Sequence, residues 1–266
     1  MNNDIPQIMP GADVFYLPGS KTGVLVLHGI AASPHEVHWL GEYLHQRGLT
    51  VFGPRIVGHG ANYRDLSRMR WQDWYLSALD GYKLLHATCD QVFLCGMSMG
   101  GLLSTLLALN YPVTGLILLA TPFQLESENA MRMARYIRFF RRFLHMPDRS
   151  GFPDRLLEIQ RSRGVPVIGR VRYDMWATQS VSELYRLMIF ARQQLSELTL
   201  PTFLAYSEHD PTVPLSNLDY VRERISSAHV ETLVVQEGGH ILTQDHAHEK
   251  VFETVAKFIL DTHHAD

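Results

Sequence analysis

The sequence predicts an α/β fold, with a mostly parallel central sheet flanked by helices and a small helical cap inserted after the strand ending near Ala120. Three observations predict it. Brief, continuously apolar runs recur along the 266 residues, as strands covered on both faces require. Helix-length patterns alternate with these runs, which is the signature of βαβ units with right-handed crossovers. The alternation fails once, between the run ending at Ala120 and the next one at Thr202.

Taken in order, residues 24–27 form the first clear strand and lead directly into His28-Gly29. Residues 33–47 read as a helix, with Ser33 as N-cap, Pro34 in the first helical position and Gly48 as the stop. A strand at 51–52, a helix at 71–87, a strand at 92–95, a helix at 99–110 and a strand at 116–119 follow. After the interruption come strands at 203–206 and 232–235 and helices at 214–225 and 245–261. The core is therefore expected at 1–121 and 200–266, with a helical cap at 122–199 over the carboxyl ends of the strands. Within the cap, Met133, Ile137, Phe140 and Leu144 fall on one helical face, and Arg132, Arg135, Arg138, Arg141 and Arg142 fall mostly elsewhere. A second cap helix is expected at 180–198.

Charge limits the partners. The net charge of −3 argues against nucleic acid. Residues 122–195 hold thirteen arginines, no lysine and seven acidic residues, so a basic insertion sits on an acidic body. The arginine-rich helix is expected to pair with that body, or to make weak contact with a lipid interface. No apolar run reaches the ~18–20 residues that span a bilayer. Met1-Asn2-Asn3-Asp4-Ile5-Pro6 lacks the basic start and apolar stretch of a signal peptide, so a cytoplasmic monomer or homodimer is expected. Cys89 and Cys95 bracket an extended run whose ends stand too far apart for a disulfide.

The chemistry is concentrated at strand ends. Gly96-Met97-Ser98-Met99-Gly100-Gly101 lies between a strand and a helix, the context in which G-x-S-x-G presents a serine nucleophile on a sharp turn. The expected order is then serine, acid, histidine, each on a loop after a strand. Asp210, followed by Pro211 and Pro214, is preferred over Glu208 as the acid. His240, after Gly238-Gly239, is preferred as the base among fourteen histidines. His246 and His248 read as solvated, and Asp219 and Asp245 as surface charges within helices. The oxyanion donors are expected to be the N–H groups of Met99 and Ile30, with His28 structural. Met97, Met131, Phe139, Phe140 and Trp176 are candidate pocket walls.

Together with Gly58-His59-Gly60, these motifs resemble those of the α/β-hydrolase superfamily over nearly the whole chain. More narrowly, they resemble the bacterial carboxylesterase and monoacylglycerol lipase group. The resemblance implies an enzyme free of metal and cofactor, with a small helical lid, acting on short to medium acyl esters or on monoacylglycerols. It leaves a carbon–carbon bond hydrolase, an aminopeptidase and a ligand receptor that kept the triad as rivals, because one triad serves many reactions. The chain carries Pro54-Arg55 where many relatives have an aspartate before Gly-His-Gly, and Ile30 where they often have phenylalanine.

Overall fold

The computed structural model describes residues 5, 7–146, 148 and 150–263. Residues 1–4 and 6, on which most of the N-terminal reading rests, lie outside the described residues. Along the chain the core begins with β1 (Phe15–Leu17), β2 (Thr22–Leu27), α1 (His35–His45), β3 (Thr50–Gly53), α2 (Tyr63–Leu66) and α3 (Trp71–His86). It continues with β4 (Gln91–Met97), α4 (Met99–Asn110) and β5 (Gly115–Leu119). The insertion carries α5 (Glu128–Ile137), β6 (Phe143–His145), α6 (Phe152–Ser162), β7 (Met175–Ala177) and α7 (Thr178–Arg192). The chain then returns to the core with β8 (Thr202–Ser207), α8 (Ser216–Arg222), β9 (Val230–Val235) and α9 (His248–His263).

Seven strands form one sheet in the order β1-β3-β2-β4-β5-β8-β9, parallel throughout except for β1, which runs antiparallel to β3. Successive side chains of a strand point to opposite faces, and the core divides accordingly. Leu25, Leu27, Leu94, Leu116 and Leu118 face one side with residues of α3, α4 and α7. Val24, Val26, Cys95, Met97, Ile117 and Leu119 face the other with residues of α1 and α9. Cys89 and Cys95 are free and buried. Among the described residues no helix is long and apolar enough to cross a membrane.

Two sequence expectations shift and one holds. α1 begins after Pro34, and the Ser33 hydroxyl donates to the Val171 carbonyl at 3.0 Å instead of capping the helix. Gly48 does end the stretch, at φ +86° with open space around it. In the insertion, the helix stops at Ile137 and Leu144 lies in β6, which pairs antiparallel with β7. The expected stripe therefore breaks: Met133 and Phe140 are exposed, whereas Met131 and Ala134 are buried.

Candidate active site

The loops after β2, β4, β8 and β9 all open at the carboxyl end of the sheet, where open α/β folds place their sites. Ser98 sits between β4 and α4 at φ +54° and ψ −117°, a conformation costing a non-glycine residue about 1–3 kcal/mol. The surroundings enforce it. A Cβ on Gly96 would stand 2.2 Å from the Gly100 carbonyl carbon, and one on Gly100 would stand 2.2 Å from the Leu27 carbonyl oxygen. The strand, turn and helix thus pack backbone against backbone. The Ser98 N–H is tied to the Leu119 carbonyl at 2.8 Å.

His240 reaches this serine from the loop after β9. Its Nε2 stands 3.1 Å from Ser98 Oγ, and its Nδ1 stands 2.7 Å from Asp210 Oδ2. Asp210 Oδ1 accepts the N–H groups of Thr212 and Val213 at 2.7 and 2.9 Å. One carboxylate oxygen is thus fixed by backbone and the other is aimed at the imidazole. Glu208 is exposed. A carboxylate has no proton to give, so Nδ1 carries the ring hydrogen and the Nε2 lone pair faces the serine hydroxyl.

Ile30 follows Gly29, whose added Cβ would stand 3.4 Å from the Ser98 Cβ, and lines the same cavity as the serine. Met99 opens α4, so its N–H lies at the positive end of that helix. His28 supports the Ile30 loop from behind. Its Nδ1–H donates to the Gly29 carbonyl at 2.9 Å and its Nε2 accepts the Ile56 N–H at 3.2 Å. Burial pushes His28 below its ordinary pKa, which keeps the ring neutral in this bridging role.

Ser98, His240 and Ile30 line a cavity of about 540 Å³ that residues of the insertion also line. Of the pocket walls expected from sequence, Met131 and Trp176 line it. The other three do not. Met97 is fully buried on the α1/α9 side of the sheet, because its strand parity turns it away from the loops. Phe139 and Phe140 are 74% and 94% exposed, in the turn after α5.

Glu36, Asp245, Arg155 and Arg170, to none of which the sequence gives a part in the site, bear on its loops. Glu36, buried, accepts the Gly29 N–H at 2.7 Å and pairs with Arg170 of the insertion at 3.2 Å. Asp245 is not a surface charge. It precedes α9, is 1% exposed, accepts the Gly239 N–H at 2.8 Å and binds Arg155 of the insertion through both oxygens. Burial alone would raise its carboxyl, but Arg155, then the N–H groups of Gly239 and His246, hold it below the ordinary aspartate value. His248 is buried rather than solvated, and its Nε2 accepts from Arg163 at 2.8 Å; His246 is exposed. The contacts with Arg155, Arg163 and Arg170 join residues 90, 85 and 134 positions apart, which no local pattern could reveal.

The chain is 29% identical over 252 residues to a thermostable monoacylglycerol lipase of Bacillus sp. strain H-257, covering 94% of this chain and 95% of that one. It is 24% identical over 248 residues to a carboxylesterase of Bacillus subtilis strain 168, covering 92% and 95%. Among solved structures, it is similar to one described with LipS and LipT, two metagenome-derived lipolytic enzymes. There the TM-score is 0.85 at 25% identity, over 96% of this chain and 100% of that one. A monoacylglycerol lipase of Paleococcus ferrophilus shares the fold, with a TM-score of 0.77 at 14% identity over 94% and 98%. The family model of serine aminopeptidase, S33, matches residues 19–247, and with the strand order and the serine turn this establishes that the chain belongs to that family of α/β-hydrolases.

Proposed function

We propose that the protein hydrolyses carboxylic esters of short to medium acyl chains through an acyl-enzyme on Ser98. The observation that carries this reading is the chain Asp210–His240–Ser98, at 2.7 and 3.1 Å, opening into a cavity largely lined by apolar side chains. His240 Nε2 takes the hydroxyl proton as Ser98 Oγ attacks the ester carbonyl carbon. The N–H groups of Ile30 and Met99 stabilise the negative carbonyl oxygen. The tetrahedral intermediate collapses, the C–O bond to the alcohol breaks, and the imidazolium gives its proton to the departing oxygen. Water then enters, gives a proton to His240 and attacks the acyl carbon, and the imidazolium returns that proton to Ser98 Oγ as the acyl C–O bond breaks and the acid is released. Asp210 holds the tautomer and stabilises the imidazolium. The insertion 122–199 serves as a cap on the core formed by 1–121 and 200–266. The unpaired thiols of Cys89 and Cys95 support a cytoplasmic location.

The likeness to a carboxylesterase and a monoacylglycerol lipase supports ester over amide. So does the charge of the cavity. An aminopeptidase needs a carboxylate for the substrate ammonium, yet Glu36 and Asp148, the carboxylates that line the cavity, are both paired with Arg170.

A second reading, a lipase acting on monoacylglycerols at an interface, is favoured by one feature. Phe139 and Phe140 project from a turn flanked by Arg138, Arg141 and Arg142, as a surface-bound segment would. A hydrolysis panel from acetyl to long-chain esters and monoacylglycerols, with Ser98→Ala as control, tests both. Turnover that peaks at short to medium esters and vanishes in Ser98→Ala supports the esterase, and a peak on monoacylglycerols supports the second reading. Full activity in Ser98→Ala would refute both. For the second reading, wild-type protein should sediment with anionic vesicles, and Phe139→Ser/Phe140→Ser should not.

A further inference from the structure

The two glycines that precede the proposed oxyanion residue and the base are held in the same way. The Gly29 N–H, next to Ile30, donates to Glu36 at 2.7 Å, and the Gly239 N–H, next to His240, donates to Asp245 at 2.8 Å. Both carboxylates belong to the core and are 3% and 1% exposed. A buried carboxylate without a counter-charge is costly. In both cases the counter-charge comes from the insertion. Arg170 Nη2 stands 3.2 Å from Glu36 Oε1, and Arg155 meets Asp245 with Nε at 3.1 Å and Nη2 at 2.8 Å, the fork geometry of a strong pair. The two guanidinium groups lie 5.9 and 5.5 Å from the ring centre of Phe152, which is buried and lines the cavity. The two loops are also tied to each other, since the Gln244 amide donates to the His35 carbonyl at 2.9 Å and the Thr243 hydroxyl to the Glu36 carbonyl.

We propose that Arg155 and Arg170 are positioning residues that make the site competent only while the insertion is seated on the core. The proposal rests on the hydrolase reading. Seated, the insertion sets Arg155 against Asp245 and Arg170 between Glu36 and its own Asp148, which Arg172 also meets at 3.9 Å, so each core carboxylate holds its glycine with a guanidinium against it. Unseated, Glu36 becomes a bare negative charge where an oxyanion must form. Its Oε2 stands 3.0 Å, and the Ser98 Cβ 3.4 Å, from the point a Cβ on Gly29 would occupy. At a separation of ~6 Å and an effective dielectric of ~20, one such charge slows oxyanion formation on the order of a hundredfold. Losing Arg155 acts on the base instead, because Gly239 and then His240 lose a fixed anchor. An open cap is then a poor catalyst as well as an open door.

The test measures the rate at which Ser98 Oγ displaces fluoride from a fluorophosphonate, resolved into a maximal rate and a half-saturating concentration, with thermal melting as the fold control. In Arg170→Met the maximal rate should fall roughly ten- to a hundredfold, with the half-saturating concentration changed less than about threefold. Adding Glu36→Gln, whose amide oxygen still accepts the Gly29 N–H, should restore most of that rate. Arg155→Met should lose roughly tenfold, with Asp245→Asn giving partial rescue. Should Arg170→Met fail to fold, Arg170→Lys, which keeps the charge and loses the fork, should lose about three- to tenfold. A folded Arg170 variant with an unchanged maximal rate, a loss confined to the half-saturating concentration, or a loss that Glu36→Gln does not relieve would each overturn the proposal. Wild-type protein that does not react at all would sink the hydrolase reading itself, whereas reactive wild type with unaltered variants sinks the coupling alone.

Discussion

Replacing Asp210 by asparagine turns one of its two oxygens into an amide nitrogen, and the surrounding donors decide which one. Oδ1 accepts two backbone N–H groups, from Thr212 and Val213, in a side chain with no solvent exposure. Turning the amide nitrogen toward them would leave both donors unpaired, at about 1–3 kcal/mol each. The amide oxygen therefore stays on the backbone and the NH₂ faces His240 Nδ1. Two donors cannot share that 2.7 Å contact, so the imidazole must move its hydrogen to Nε2, toward Ser98, where it can no longer accept the hydroxyl proton. The wrong tautomer costs about 10⁴ in kcat in serine hydrolases of this logic, or about 5 kcal/mol of barrier. Steady-state hydrolysis of a p-nitrophenyl ester should show that loss in kcat, with a melting temperature close to wild type. A folded Asp210→Asn protein that loses less than about tenfold would refute the reasoning, since His240 would then not depend on a proton at Nδ1.

Three further outcomes follow from the same geometry. Gly100→Ala should give little folded protein, because its Cβ would stand 2.2 Å from the Leu27 carbonyl oxygen; soluble Gly100→Ala with wild-type melting would contradict that packing. Asp245 binds its proton less readily folded than unfolded, since its pKa is held below the ordinary value. The unfolded state therefore takes up more protons as pH falls, and the stability Asp245 contributes is present above the ordinary aspartate range and lost below it. Melting temperature should accordingly drop less steeply between about pH 5 and 3 in Asp245→Asn than in wild type, and an identical slope would dismiss the Arg155–Asp245 pair as a source of acid sensitivity. Glu208→Gln should leave kcat and KM within about twofold of wild type, as expected of an exposed side chain outside the site; a large loss would reopen the choice of acid.

The arrangement of the serine, the acid and the base was legible because each signal was local and doubled. Ser98 had its glycines and a strand-to-helix context, and Asp210 and His240 each stood just past a short apolar strand. The buried carboxylates were not legible. Asp245 and Arg155 are separated by 90 positions, and Asp245 occurs just before a helix, where acidic residues are ordinary. β1 escaped because Phe15–Leu17 is three residues long and has an exposed member, too short to show a period. In the insertion, apolar residues at both 131/134 and 133/137/140 offer two helical faces. Tertiary packing chose the first, leaving Phe139 and Phe140 exposed.

The proposed mechanism requires the acyl group to pass through a bond to one atom, Ser98 Oγ. Rapid quench of a p-nitrophenyl ester reaction, followed by mass spectrometry of the digested protein, tests this directly. The peptide containing Ser98 should gain the mass of the acyl group within one turnover and lose it again as substrate is exhausted. Sustained turnover with no adduct on that peptide, or with the adduct on another residue, would contradict it.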